Sequence, residues 1–86
     1  MIRIEASEEQ DIVTLFLSGR IQKDDLVELK SVLARHTKSV VLDLSGVNLV
    51  DRDALKFLAS FETARAKLAN CPRYIREWIL RERTEP

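Results

Sequence analysis

Residues 39–58 read SVVLDLSGVNLVDRDALKFL and contain, in succession, the patterns of a buried strand, a loop and an amphipathic helix. Residues 39–44 form a short, nearly continuous apolar run, which is typical of a central strand buried on both faces between helices. Ser45 and Gly46 begin a predicted loop through Val50, and Asp51 is placed to cap the next helix. The predicted apolar face of this helix consists of Ala54, Phe57, Leu58, Phe61, Ala64 and Leu68.

The sequence before this stretch predicts two strands and a helix. Residues 1–6 and 11–18 alternate apolar and polar side chains, as strands do, and Gly19 is expected to let the chain turn. Apolar residues occupy both faces of the second strand, so we expect both faces of the sheet to be partly covered. Asp25 and Glu28 form a capping-box pattern at the start of the first helix. Leucines recur behind this cap at helical spacing, at Leu26, Leu29 and Leu33.

After the second helix the sequence predicts a short strand and a third helix. Residues 66–70 are a weak strand candidate, and Pro72 suits the first turn of a helix that continues to about Arg83. Three of its residues, Ile75, Trp78 and Ile79, are predicted to face the core. The expected architecture is a single α/β domain over residues 1–86, with a mixed sheet of about four strands packed against about three helices.

The composition limits the function classes. Lys and Arg number 14 and Asp and Glu also number 14, so no overall positive field favours nucleic acid. No stretch approaches the roughly 18 consecutive apolar residues of a membrane helix, so we expect no membrane insertion. The single cysteine, Cys71, cannot form an internal disulfide and fits a reducing, cytoplasmic location. We expect neither a cofactor nor a metal.

Residues 39–58 resemble the signature of the STAS family, the anti-sigma-factor antagonists. In that signature an apolar strand ends in Asp-Leu-Ser, a loop follows, and a helix opens with Asp-Ser-Ser/Thr-Gly-Leu. Residues 13–20 (VTLFLSGR) are similar to the second strand of the family and its turn, so the resemblance covers residues 10–80 in the same element order. STAS domains usually continue through a further strand and helix, so the resemblance implies a C-terminally truncated, STAS-like version with a sheet edge open to a partner.

The resemblance places Asp53 at the position of the family's phosphorylated serine or threonine. It therefore implies a regulatory domain whose binding is not controlled by serine phosphorylation. Three interpretations of Asp53 remain open: a fixed charge that sets a permanent binding state, an acidic residue that favours the helix dipole, and an aspartyl-phosphate acceptor with Asp43 nearby.

The expected function is protein binding without catalysis, in bacterial signal transduction and transcription regulation. The resemblance implies that the partner is a kinase, an anti-sigma factor or a signalling assembly. We expect this partner to dock on the second helix and the loop before it. The predicted contact residues are Asp51, Arg52, Asp53, Leu55, Lys56 and Ala59. The alternative is an accessory STAS subunit of a bacterial lipid-transport ATPase, and a homodimer is compatible with either.

Other residue types with reactive or binding chemistry have simpler interpretations. Cys71 lies before a predicted helix, where a thiolate is stabilised, but the sequence has no second Cys and no paired His, which favours an ordinary partly buried thiol. His36 is the only histidine and lies at a helix end, where its charge suits the dipole. The basic strip of the third helix contains Arg73, Arg76, Arg81 and Arg83. Glu77 can pair within that strip at helical spacing, which favours a solvated helix face over a nucleic-acid site.

Overall fold

The computed structural model describes residues 2–36, 39–62 and 66–84. Four strands and three helices follow one another in these ranges. Their order is β1 (Ile2–Glu9), β2 (Ile12–Ile21), α1 (Asp25–Ala34), β3 (Ser39–Val50), α2 (Arg52–Phe61), β4 (Ala66–Ala69) and α3 (Arg73–Thr84). The predicted element order and the mixed α/β class are therefore confirmed. None of the described helices is long and apolar enough to span a membrane.

The four strands form one mixed sheet in the order β1-β2-β3-β4. β1 and β2 are an antiparallel hairpin, which turns through Gln10 with a left-handed φ of 52°. β2 pairs with β3 in parallel, and β3 pairs with β4 in parallel. Parallel neighbours need long crossover connections, and α1 and α2 lie within those crossovers.

The core lies between one face of the sheet and the helices. Every second residue points into it from Val13 to Leu17 on β2 and from Val40 to Leu44 on β3, and the helices contribute leucine, alanine and isoleucine. The fully buried side chains include Leu15, Leu17, Leu29, Leu42, Leu44, Leu58, Ile75 and Ile79. The opposite face is more open than predicted, because Ile12 and Phe16 on β2 remain 48% and 44% exposed.

Several predicted boundaries are wrong. Residues 46–50 continue β3 along β2 and do not form a loop. α2 ends at Phe61, so Leu68 lies on β4 instead of on the helix face, and Ala64 lies outside the described residues. Gly19 does not end β2; it lies inside the strand with a φ of 89°, beside a register shift. Asp25 is the first helical residue and its carboxylate accepts from the backbone N–H of Gln22, so the predicted capping box is absent.

The extension of β3 depends on two bulges. Phe16 pairs with Asp43 but Ser18 pairs with Gly46, so β3 has one more residue than β2 in this interval. A second shift follows between Gly19 and Arg20. At the first bulge the two backbones approach closely, since a Cβ on Gly46 would lie 2.7 Å from the Cβ of Ser18. The missing side chain at Gly46 is therefore a requirement of the strand pairing that leads to α2.

Gly46→Ala should destabilise the fold by about 1–3 kcal/mol, because the added methyl group overlaps Ser18 across the pairing. Chemical denaturation of the variant measures this loss. The control is Ser18→Gly, which removes the atom that would clash. The double variant should be less destabilised than the sum of the two single variants. Additive effects, or a Gly46→Ala variant as stable as the parent, would contradict the close-approach argument.

Candidate functional site

The candidate site is built on the start of α2, and Asp51 fixes that start. Asp51 is extended, with φ −87° and ψ 179°, and its Oδ1 accepts from the backbone N–H of Ala54 at 2.8 Å. The predicted helix cap is therefore confirmed. Its Oδ2 accepts from the backbone N–H of Lys23 at 2.8 Å, and its own N–H donates to the carbonyl of Ile21 at 3.1 Å. One carboxylate thus ties the start of α2 to the connection between β2 and α1.

The other predicted contact residues divide between the two sides of α2. Arg52, Asp53 and Lys56 are exposed, whereas Leu55 and Ala59 are half-buried and pack against the core. Asp53 and Lys56 border a groove toward α1, and Arg52 and Leu55 border another toward α3. The structure therefore brings the predicted residues to one helix but not to one continuous surface.

The groove between α1 and α2, called the α1–α2 groove below, has a volume of about 480 Å³. Its lining residues are Lys23, Leu26, Val27, Lys30, Asp53, Lys56, Phe57 and Ser60. The Nζ of Lys30 lies 5.7 Å from the centre of the Phe57 ring, within the range of a cation–π contact. The contributions of α1 and of Lys23 before it were not predicted, although Lys23, Val27 and Lys30 follow one another at helical spacing.

The groove between α2 and α3, the α2–α3 groove, is smaller, at about 270 Å³. Its lining includes Leu55, Trp78 and Arg81. Trp78 is 39% exposed and makes an edge-on contact with Tyr74, whose hydroxyl donates to the carbonyl of Asn48. The prediction that Trp78 anchors the core is wrong, because Ile75 and Ile79 fill that position and Trp78 lies on the rim of the helix face.

A buried carboxylate, Asp43, lies in the middle of β3. The residue is 7% exposed, and its side chain accepts from the backbone N–H of Ser45 at 2.9 Å and from the Asn70 amide at 2.8 Å. Desolvation by burial alone would raise the pKa of Asp43, but the hydrogen bonds from Ser45 and Asn70 outweigh it and hold the pKa below its ordinary value. Asn70 has a left-handed φ of 50°, a conformation that asparagine tolerates well. Asp43 therefore joins β3 to the turn after β4.

Cys71 is half-buried, and its thiol donates to the carbonyl of Pro72 at 3.6 Å. Burial raises the pKa of Cys71; the positive charge of Arg76 opposes this effect and the negative charge of Glu62 adds to it. An activated cysteine has a lowered pKa, whereas the pKa of Cys71 is raised, so the structure favours the ordinary-thiol interpretation.

The basic strip of α3 is partly neutralised by ion pairs. Arg76 donates through both terminal nitrogens to the Glu62 carboxylate, at 3.0 and 3.4 Å, and this pair links α3 to the end of α2. Arg73 and Glu77 form the expected pair at helical spacing, 3.5 Å apart. Within the part of the chain that the structure describes, no three His, Cys, Asp or Glu side chains converge as a metal site would require.

Comparison with known proteins shows the fold. No protein-family model and no curated protein matches this chain. Among solved structures, it is similar to the crystal structure of an uncharacterised DUF3478-family protein with a SpoIIAA-like fold, from Shewanella loihica PV-4. The TM-score is 0.50 and the identity 11%, and the match covers 91% of this chain and 93% of the other. The chain therefore has a SpoIIAA-like fold, which confirms the STAS-like architecture predicted from residues 39–58.

The hydrogen bonds of Asp43 predict that the parent protein and Asp43→Asn differ in their free energy of unfolding, and that this difference depends on pH. The variant keeps an acceptor for Ser45 but places an amide donor opposite the Asn70 amide, which should cost about 1–3 kcal/mol at neutral pH. Because the folded pKa of Asp43 is lowered, its stabilisation is complete above the unfolded value, near pH 4, and is lost as the pH falls through the folded pKa.

Urea unfolding of both proteins between pH 7 and about pH 2.5 measures this difference. The gap in unfolding free energy should stay constant from neutral pH to about pH 5 and then shrink with further acidification. A gap that does not change across this range would contradict the assigned role of the carboxylate.

Proposed function

We propose that this chain is a non-enzymatic regulatory domain of the STAS type that binds a kinase, an anti-sigma factor or a signalling assembly. The observation that carries the proposal is the anchored start of α2. Asp51 holds the first turn in place through the bonds to Ala54 and Lys23, while Arg52, Asp53 and Lys56 remain exposed around it. A helix end that is fixed in position and surrounded by exposed charges suits docking with a defined orientation.

The side chain at position 53 supports binding without serine phosphorylation. Asp53 lies in the first turn of α2, where a negative charge is favourable to the helix dipole. A carboxylate supplies about one negative charge, against about 1.5 to 2 for a phosphate group with three acceptor oxygens. The charge at this position is therefore constant under conditions in which a phosphorylated serine would switch.

The contacts of the reactive side chains support binding over catalysis. Asp51 is used in the helix cap, and Asp43 is held between Ser45 and Asn70. The raised pKa of Cys71 keeps its thiol protonated at neutral pH, which disfavours a nucleophilic role. Each of these groups therefore has a structural explanation.

Lys56→Glu should release the partner, because this charge lies on the proposed docking face of α2. The matched control is Lys67→Glu, which makes the same charge change at an exposed position on β4. Tagged parent and variant proteins are used to capture partners from the cytosol of the organism that makes the chain, and mass spectrometry identifies what remains bound.

The expected result is a kinase or anti-sigma factor retained by the parent and by Lys67→Glu and lost by Lys56→Glu. Equal recovery with both variants would contradict docking on α2. Recovery of transport-ATPase subunits in place of a regulatory protein would contradict the anti-sigma interpretation and support the accessory-subunit alternative.

A further inference from the structure

The α1–α2 groove has an excess of positive charge that the sequence pattern of α2 alone does not reveal. Two of its lysines, Lys23 and Lys30, come from the α1 side, and Lys56 comes from α2. Among the described residues that line the groove, Asp53 is the only one with a carboxylate. Among residues 2–36, 39–62 and 66–84, no carboxylate forms an ion pair with any of the three lysines.

The floor of this groove is apolar. Leu26 is buried and Phe57 is half-buried, whereas Val27 is 76% exposed at the edge of the groove. The Nζ of Lys30 lies over the Phe57 ring, 5.7 Å from its centre, so a cation stands beside the apolar floor. The groove thus has an apolar floor and lysines on both sides. This arrangement suits an amphipathic segment that carries carboxylates beside its apolar stripe.

We propose that the α1–α2 groove binds an acidic amphipathic helix of the protein partner. Apolar side chains of that helix contact Val27 and Phe57, and its Asp or Glu side chains pair with Lys23, Lys30 and Lys56. This proposal specifies the partner chemistry of the proposed regulatory function and rests on it. Charge complementarity identifies the occupant, since the lining offers three cations and one anion.

The proposal gives Asp53 a defined effect within this groove. Its carboxylate opposes the incoming acidic groups and lowers the net positive charge of the lining from three to two. Asp53→Asn removes that opposition and should strengthen binding of an acidic segment. A phosphate at the same position would oppose such a segment more strongly than the carboxylate does.

The test uses the purified full chain and two synthetic peptides that form amphipathic helices. Both carry leucine along one stripe; the first has glutamate on both flanks of the stripe, and the second has lysine at the same positions. Fluorescence anisotropy at low and high salt measures affinity, and amide chemical shifts of the isotope-labelled protein locate the site. Anionic phosphatidylserine vesicles are the third probe.

The glutamate peptide should bind, should bind less tightly at high salt, and should shift amides of residues 23–30 and 53–60. Lys30→Glu should weaken binding at least about fivefold at low salt, because it replaces an attraction by a repulsion. Val27→Glu should weaken binding as well, and Asp53→Asn should strengthen it. The matched control Lys67→Glu should leave the affinity unchanged.

Three results would overturn the proposal. They are equal binding of the two peptides, shifts confined to the α2–α3 groove or the open sheet face, and vesicle binding without peptide binding. Because the peptides are defined, a failure here is separate from a failure of the cellular capture. If Lys56→Glu loses the cellular partner but the glutamate peptide does not bind, only the acidic-helix occupant is contradicted. If the glutamate peptide binds but no regulatory protein is captured, only the proposed function is contradicted.

Discussion

The position of α2 depends on one carboxylate. Asp51 accepts from the backbone N–H of Ala54 within the helix and from that of Lys23 in another part of the chain. A capping residue that bonded only to the first turn of its own helix would fix only the direction in which the helix begins. The second bond also fixes where the helix begins relative to α1, so the α1–α2 groove has a defined width at the end nearest Asp51. The proposed docking surface therefore depends on the packing between two crossover connections.

The strand that leads to Asp51 is restrained along its length. At its centre Asp43 is bonded to Ser45 and Asn70, and shortly after it Gly46 permits the close approach to β2. The bond to Asn70 joins β3 to the turn after β4, and the close approach at Gly46 allows the bulged half of β3 to pair with β2 until the chain reaches α2. A SpoIIAA-like sheet, with its parallel neighbours joined through helices, thus presents the start of α2 from a rigid support. A binding surface on such a support loses little conformational entropy when a partner docks.

Two local patterns of the sequence predicted structure correctly, whereas two features that depend on distant residues were missed. The cap at Asp51 and the apolar run 39–44 are local patterns, and both are confirmed. The continuation of β3 past Gly46 was missed because it depends on pairing with β2 through two bulges, which leave no periodic signal. The α1–α2 groove was missed for the same reason: Lys30 and Lys56 are distant in sequence, and only the approach of the two helices places them on one groove.

Native-state hydrogen exchange in the parent protein and in Asp51→Ala tests whether Asp51 joins α2 to the β2–α1 connection. The amides of Lys23 and Ala54 should both lose protection in the variant, while core amides of β2 such as that of Leu15 should keep theirs. Unchanged protection of the Lys23 amide in Asp51→Ala would contradict this role of Asp51, because the position of α2 would then be held by other contacts.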